Sequence, residues 1–164
     1  MKKTIFFFSF LMLTLFATAQ EAYKATHEGW LVSIEEAYAQ SKKTGKPIMA
    51  NFTGSDWCGW CKKLSAAVFD KPAFKTWANK NVVLLELDFP RRKQLPNEIR
   101  AQNQSLQQVF QVRGYPTVWV FNLDKDEESG KMMIEALGQT GYQPTLEEFT
   151  SGVDQMLKRA GNGS

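Results

Sequence analysis

The stretch Asp56-Trp57-Cys58-Gly59-Trp60-Cys61-Lys62 decides the fold, because it places both cysteines of the chain between a predicted strand and a predicted helix. The apolar run 47–53 predicts a buried strand, and residues 61–69 predict a helix. At the first turn of a helix, unpaired N–H groups and the helix dipole favour negative charge. Such a site lowers the pKa of a thiol from about 8.5 towards 7, where half of it is thiolate. The pattern therefore predicts a redox site.

The first segment of this 164-residue chain is typical of an export signal. Met1-Lys2-Lys3 is basic, the run Ile5–Phe16 is apolar, and Ala17-Thr18-Ala19 offers small residues for cleavage. The apolar run is shorter than the roughly 20 residues of a membrane-spanning helix. We therefore predict a signal peptide over 1–19 and a single domain over 20–164, located in the periplasm or the extracellular space.

Charge and cysteine content restrict the function of the remaining chain. Loss of Lys2 and Lys3 with the signal would reduce the net charge from +3 to +1, which gives no indication of nucleic-acid binding. A disulfide that closes so short a loop contributes about 2 kcal/mol, against about 3 for a fifteen-residue loop. Cys58 and Cys61 are therefore better placed to open and close than to act as a structural staple.

The order of the predicted elements indicates an α/β fold with a central mixed sheet and helices on both faces. Ser33 and Glu36 form a capping box for a first helix that ends at Gly45. Early βαβ units imply parallel strands, and a late hairpin adds antiparallel ones. The predicted strands are near 22–26, 47–53, 81–88, 117–121 and 131–137, and the later helices are 61–69, 72–77, 97–112 and one from Thr145. We expect the core to include Phe52, Phe69, Phe74, Trp77, Phe110, Trp119, Phe121 and Phe149.

Two motifs together carry a resemblance to the thioredoxin superfamily. The first is Trp57–Lys62 at the strand–helix junction, and the second is Val112-Arg113-Gly114-Tyr115-Pro116-Thr117, some fifty residues later. The chain resembles this superfamily over roughly 33–158. It is most similar to exported bacterial thioredoxin-like proteins and to the soluble thioredoxin-like domain of the transmembrane thiol-reductant carrier. The resemblance implies a thioredoxin fold and a redox-active disulfide between Cys58 and Cys61.

The resemblance also implies a role for each site residue. Cys58 would be the attacking thiolate, exposed at the helix start, and Cys61 the less exposed resolving thiol one turn further in. A cis peptide before Pro116 would lie beside the disulfide and leave the Tyr115 backbone free to pair with an extended substrate. This chemistry requires neither a metal nor an organic cofactor. The predicted substrate-binding residues are Trp57, Gly59, Trp60, Tyr115 and Pro116.

The chain departs from the family pattern at three positions. Gly59-Trp60 replaces the commonest Gly-Pro, and Tyr115 stands where a smaller aliphatic residue is common. With one residue inserted in the following loop, Asn51 falls where many relatives carry a buried aspartate that helps to deprotonate the resolving thiol. An amide cannot accept that proton. Glu86 on the adjacent predicted strand, or a water molecule, could take over the role.

Other features of the sequence have simpler interpretations. A zinc site needs four ligands, and we expect His27, the single histidine, to be a surface residue in a weakly structured segment far from the cysteines. Arg91-Arg92-Lys93 is interpreted as a solvated loop, and Asp124–Glu128 as a hairpin turn without the spacing of a calcium loop. Trp57 and Trp60 are interpreted as a partly exposed apolar docking surface.

The sequence thus predicts a periplasmic thiol–disulfide oxidoreductase that acts on protein thiols and disulfides, as a monomer. Reduction is favoured over oxidation because no histidine stands between the cysteines, as one does in strongly oxidising relatives. A reductase in that compartment would need electrons from a membrane thiol-reductant donor. An oxidase or isomerase of the same fold and a non-catalytic peptide-binding module remain the alternatives.

Overall fold

The computed structural model describes residues 23–161, the side chains of the last two excepted, so the predicted signal peptide lies outside the described residues. Four strands form one sheet with helices on both faces, which confirms the predicted fold class. None of the helices within residues 23–161 is long and apolar enough to cross a membrane. The elements are α1 Ile34–Thr44, β1 Ile48–Thr53, α2 Gly59–Leu64, a π-helical turn Ser65–Phe69, α3 Pro72–Asn81, β2 Val83–Asp88, α4 Asn97–Val109, β3 Thr117–Lys125, β4 Met132–Thr140 and α5 Leu146–Gly161.

The sheet has the strand order β2-β1-β3-β4. β1 is parallel to β2, from the pair Ile48–Val83 to the pair Thr53–Asp88, and antiparallel to β3. β3 and β4 form the predicted hairpin. All six residues of β1 are buried, as expected for a central strand covered on both faces. The end of β1 therefore delivers the chain from the middle of the sheet directly to the cysteines.

The core has two halves, one on each face of the sheet. Side chains along β1 and β2 alternate between the faces, so the two halves receive different residues from the same strands. One half joins α1 and α4 to the sheet through Ile34, Ile48, Phe52, Leu85 and Leu106. The other joins α2, the π-helical turn, α3 and α5 to the sheet through Met49, Leu64, Val68, Phe74, Leu84 and Phe149.

The N-terminal segment, residues 23–32, differs from the prediction. No strand forms over residues 23–26; instead, Leu31 makes an isolated parallel bridge with Leu85 at the free edge of β2. The Leu31 N–H donates to the Leu84 carbonyl at 2.9 Å, and its carbonyl accepts from the Glu86 N–H at 2.8 Å. Tertiary contacts with β2, which the local sequence pattern does not contain, fix this segment.

Helix ends also differ from those predicted. α3 continues to Asn81 rather than ending near Trp77, and α4 ends at Val109 rather than at residue 112. The early end of α4 follows from Gln111, whose φ of 51° turns the chain out of the helix. Val109, the last residue of α4, is 56% exposed although it is one of the apolar residues of the predicted helix. The six predicted core phenylalanines are buried, whereas Trp77 and Trp119 are half-buried.

Candidate active site

Cys58 and Cys61 form a disulfide where α2 begins. Cys58 is the N-cap residue of the helix, and its sulfur accepts a hydrogen bond from the Cys61 N–H at 3.2 Å. In the reduced protein this hydrogen bond and the helix dipole both favour a negatively charged sulfur at position 58. α2 passes directly into the π-helical turn, so the pair stands at the start of the continuous helical stretch 59–69. π-helical turns often occur at functional sites.

The prediction that Cys58 is exposed at the helix start is wrong. The residue keeps only 6% of its surface exposed, against 4% for Cys61. The loop before β3 covers it: the Tyr115 carbonyl oxygen lies 3.6 Å from the Cys58 sulfur, and the following peptide to Pro116 is cis. Access to the Cys58 sulfur is therefore narrow.

The Trp57 side chain lies close to the disulfide and is held in place by several contacts. Its indole N–H donates to the Phe89 carbonyl at 2.8 Å, and the Arg91 guanidinium lies 3.9 Å from the ring centroid. The ring also meets Tyr115 edge-on, with 5.9 Å between the centroids. A Cβ atom on Gly54 would lie 2.5 Å from the indole, so this position has to be glycine for the ring to occupy its place. The half-buried Trp57 is thus held by the loops on either side of it.

Trp60 is the exposed aromatic residue of the motif, with 55% of its surface in solvent. Its ring lies 5.0 Å from that of Tyr142, and the Lys63 ammonium lies 4.2 Å from its centroid. Gly59 beside it has open space where a side chain would stand. Sequence reasoning missed Tyr142, which lies in the connection before α5 and belongs to no motif. Trp57, Trp60, Tyr115 and Tyr142 are called the aromatic rim below.

Tyr115 is fixed at both ends. Its hydroxyl accepts a hydrogen bond from the Gln107 side-chain amide at 2.6 Å, and its ring lies 5.2 Å from that of Phe89. Burial raises the pKa of the Tyr115 phenol above its ordinary value, against the smaller opposite effect of the Gln107 hydrogen bond. The phenol is therefore protonated at neutral pH, and the residue contributes a neutral, rigid surface next to Cys58.

Asp56 organises the loop that faces Trp57. Its carboxylate accepts hydrogen bonds from the backbone N–H groups of Arg91, Arg92 and Lys93, at 3.0, 2.7 and 3.2 Å. The hydrogen bond from Arg91 contributes most to holding the pKa of this carboxyl below its ordinary value. The side chains of 91–93 are exposed, as the solvated-loop interpretation predicts. The basic run thus contacts the site through its backbone N–H groups and through the Arg91 guanidinium.

His27 is not the distant surface residue that the sequence indicated. Its side chain is only 15% exposed, and it lines a cavity of about 280 Å³ together with Cys61. The ring packs against Trp30 and Phe69, with 5.9 Å between centroids in both cases. Its Nε2 lies 3.3 Å from Asp70 Oδ1. The docking of the N-terminal segment on β2 carries the histidine to the cysteine helix.

Asn51 and Glu86 face each other on β1 and β2, directly in register. Asn51 is 3% exposed, and its side-chain oxygen receives no hydrogen bond from any residue within 23–161. Glu86 is 2% exposed, and its Oε1 accepts hydrogen bonds from the backbone N–H and the hydroxyl of Thr26, at 2.9 and 3.1 Å. The strand register thus brings a buried carboxylate next to the position where the family pattern expects an aspartate.

The acidic residues between β3 and β4 form a turn. Asp126 accepts hydrogen bonds from the backbone N–H and hydroxyl of Ser129, at 2.7 and 2.6 Å, in the turn between β3 and β4. This is the hairpin turn that the sequence predicted for Asp124–Glu128. Over the described range 23–161, no group of three or more His, Cys, Asp or Glu residues could hold a metal ion.

A mixed sheet with a cysteine pair at the start of a helix, facing a proline loop, defines the thioredoxin class of fold and site. The family model described as "Thioredoxin-like" matches residues 29–122. The chain belongs to this thioredoxin-like family.

Several known proteins are similar to the chain. It is 36% identical over 110 residues to "Disulfide bond reductase DsbH" of Chlamydia pneumoniae, covering 67% of this chain and 66% of that protein. It is 28% identical over 134 residues to "Thiol:disulfide interchange protein DsbD" of Klebsiella pneumoniae, covering 81% of this chain and 21% of that protein. The solved structure "DsbH Oxidoreductase" matches with a TM-score of 0.67 and 29% identity, over 85% of this chain and 95% of that one. The matched region thus spans less than two thirds of both sequence relatives.

Replacing Asp56 with Ala should remove the three hydrogen bonds to the loop 91–93. The free energy of unfolding should fall by an amount that depends on pH. Because the folded-state pKa of Asp56 is depressed, its stabilisation is present above the ordinary carboxyl pKa of about 3.9 and is lost as pH falls through the folded-state value. Urea midpoints of the variant and the unsubstituted protein should therefore differ most near pH 7 and converge towards pH 3.

Glu127→Ala is the matched control, since it removes one exposed carboxylate of the hairpin turn. It should leave the midpoint within experimental error at every pH. A deficit in Asp56→Ala that stays constant from pH 7 to pH 3 would contradict the role given to the carboxylate.

Proposed function

We propose that the chain is a thiol–disulfide oxidoreductase of the periplasm, which reduces or exchanges disulfides in exported proteins through Cys58 and Cys61. The observation that carries this proposal is the cysteine disulfide at the start of α2, with the Cys61 N–H directed at the Cys58 sulfur. The similarity to proteins named disulfide bond reductase and thiol:disulfide interchange protein supports it.

The proposed reaction begins with the reduced pair. The Cys58 thiolate attacks one sulfur of a substrate disulfide, and the other substrate sulfur leaves as a thiolate that takes up a proton. Cys61 then loses its proton and attacks the Cys58 sulfur, which breaks the mixed disulfide and releases the second substrate thiol after protonation. The substrate disulfide has gained two electrons, and the Cys58–Cys61 disulfide has formed. No metal or organic cofactor takes part.

The proposed direction of electron flow is reduction. Gly59 and Trp60 separate the cysteines without the histidine of strongly oxidising relatives. Known members range from about −270 mV to −120 mV, and we place this pair towards the reducing end. Continued turnover then requires a membrane thiol-reductant donor to reduce the disulfide again. An equilibrium potential near the oxidising end, measured against glutathione, would instead select an oxidase or isomerase.

The aromatic rim and the proline loop are the proposed docking surface for substrate chains. Trp60 offers the exposed apolar face, while Trp57 and Tyr115 are held in place on the other side of Cys58. Aromatic side chains at such a surface contribute large contact areas. The backbone of Tyr115, followed by Pro116, is proposed to pair with an extended segment that presents its disulfide to Cys58.

The mature protein should catalyse the reduction of insulin by dithiothreitol, and Cys58→Ser should abolish this activity because the attacking sulfur is lost. Cys61→Ser keeps the attacking sulfur but lacks the resolving one. It should therefore retain substrate as a covalent mixed disulfide on Cys58, visible as a mass increase that dithiothreitol removes.

Full activity in Cys58→Ser would contradict the assignment of the nucleophile. Insulin that binds to the unsubstituted protein without being reduced would instead favour the non-catalytic peptide-binding module. Circular dichroism of all three proteins controls for loss of fold.

Replacing Trp60 with Ala should slow insulin reduction about five- to thirtyfold, because a side chain of this kind contributes roughly 1–2 kcal/mol when it is covered on docking. The rate with a small aromatic disulfide such as dithiobis(nitrobenzoate) should change less than about twofold, since that reagent is too small to need the whole rim.

Val109→Ala is the matched control, since Val109 is equally exposed, at 56%, but lies at the end of α4. It should leave both rates unchanged. Equal losses with insulin and with the small disulfide in Trp60→Ala would overturn the docking role.

A further inference from the structure

The 280 Å³ cavity beside Cys61 is lined almost entirely by polar residues. It lies between the cysteine helix, the ends of β1 and β2, and the N-terminal segment. A cavity of this size, with hydroxyl and carboxylate groups in its lining, has room for several water molecules. Its lining consists of Thr26, His27, Thr53, Ser55, Cys61, Lys62, Ser65, Asp70 and Glu86.

Glu86 is the most deeply buried charged residue of this lining, with 1% of its side chain exposed. Thr26 donates two hydrogen bonds to Oε1, while Oε2 lies 3.5 Å from His27 Nδ1. No hydrogen bond to Oε2 comes from any residue described between 23 and 161. A buried carboxylate is costly unless its environment supports it, so the Thr26 contacts explain how Glu86 is tolerated there.

The proposed reaction leaves one proton without an obvious acceptor. Cys61 must be deprotonated before it can attack the mixed disulfide, and an ordinary thiol is almost fully protonated at neutral pH. Asn51, at the position of the family's aspartate, has no basic atom. Its side-chain oxygen can only accept a hydrogen bond.

We propose that Glu86 is the proton acceptor for Cys61 and acts through water in the cavity that both residues line. The inference rests on the proposed thiol–disulfide exchange and names the group that drives its second step. General bases commonly act through one intervening water molecule. Glu86 is a positioning and proton-accepting residue in this scheme and does not touch the substrate.

The Cys61 S–H bond breaks, its proton passes through water to Oε2 of Glu86, and the Cys61 thiolate attacks the Cys58 sulfur. The Cys58–Cys61 bond forms while the bond from Cys58 to the substrate sulfur breaks, and the substrate leaves as a thiolate. The carboxylic acid later returns its proton to water in the cavity, so Glu86 is unchanged over the cycle.

Asp88 and Asp70 are the other carboxylates near the cavity, and both are less suitable. Asp88 is engaged by the backbone N–H and the hydroxyl of Ser55, at 2.8 and 2.6 Å, and is not part of the cavity lining. Asp70 lies at the rim with a side chain that is 56% exposed. Of the three, Glu86 combines burial, an oxygen whose nearest polar neighbour is His27 Nδ1 at 3.5 Å, and a place on the same cavity as Cys61.

Several titratable groups surround Glu86 and enter any pH dependence of the step. The N-terminal segment contributes Tyr23 and His27, and Tyr23 has its phenol pKa raised by burial and by the charges of Asp88 and Glu86. The cysteine helix contributes Cys61 and Lys62. The π-helical turn is followed by Asp70, and β2 itself contributes Asp88.

The test is a stopped-flow reaction of the reduced protein with excess dithiobis(nitrobenzoate). The first released nitrothiobenzoate reports attack by Cys58 and should depend on reagent concentration, whereas the second reports attack by Cys61 on the mixed disulfide and should not. Glu86→Gln keeps the shape and the Thr26 contacts but removes the base. It should slow the second phase at least about tenfold at pH 7 and change the first less than about twofold.

The pH dependence of the second-phase rate shows whether Glu86 acts as a base or only supports the structure. Above the ordinary thiol pKa of about 8.5, Cys61 ionises without help, so the deficit of Glu86→Gln should shrink towards pH 9.5. Asp88→Asn, which removes a buried carboxylate two residues along the same strand, should leave the second phase within about twofold. Urea midpoints control for stability.

Other results would contradict either the role of Glu86 or the proposed function as a whole. An unchanged second phase in Glu86→Gln, or a deficit that is constant with pH, overturns the inference and leaves the proposed exchange intact. A slow second phase in Asp88→Asn alone assigns the proton to the other carboxylate. Absence of both phases in the unsubstituted protein overturns the proposed function and this inference together.

Discussion

The hydrogen bond from the Cys61 N–H to the Cys58 sulfur is the interaction on which the site depends. It makes the first cysteine the N-cap of the helix, which places that sulfur at the positive end of the helix dipole. Neighbouring elements hold the two cysteines in the positions that this hydrogen bond needs. β1 brings the chain from the centre of the sheet, and the close approach of Gly54 to Trp57 fixes the loop that precedes the cap.

The two cysteines meet different environments because the helix separates them by one turn. Cys58 faces the proline loop, where the Tyr115 carbonyl is its polar neighbour. Cys61 faces the cavity that holds Glu86 and His27. One sulfur thus lies beside the aromatic rim, and the other beside the cavity that contains Glu86. This division matches the two roles that thiol–disulfide exchange requires, with attack from the outside and resolution from within.

Local patterns predicted most of the scaffold, because its elements depend on short-range features. The capping box at Ser33, the buried run of β1 and the turn of the late hairpin all follow from neighbouring residues. The N-terminal segment was misplaced because its position depends on hydrogen bonds to β2, more than fifty residues away. His27 and Tyr142 were missed for the same reason, since only tertiary contacts bring them to the cysteines.

The sequence placed both cysteines correctly but overestimated the exposure of Cys58. The Cys-X-X-Cys spacing determines that Cys58 caps the helix, whereas its burial depends on a loop from a distant part of the chain. A sulfur that is 6% exposed is compatible with reaction only if it is strongly activated, because few collisions reach it. The proposed exchange therefore requires the ionised form of Cys58 to predominate at the pH at which the protein works.

The most direct test of that requirement is a titration of the Cys58 thiol in the reduced Cys61→Ser variant, which keeps the backbone N–H at position 61. Thiolate absorbance at 240 nm, followed between pH 4 and pH 10, gives the pKa of the single remaining sulfur. We expect a midpoint at or below about pH 7. A thiol that stays protonated up to about pH 8.5, as in an unstructured peptide, would contradict it.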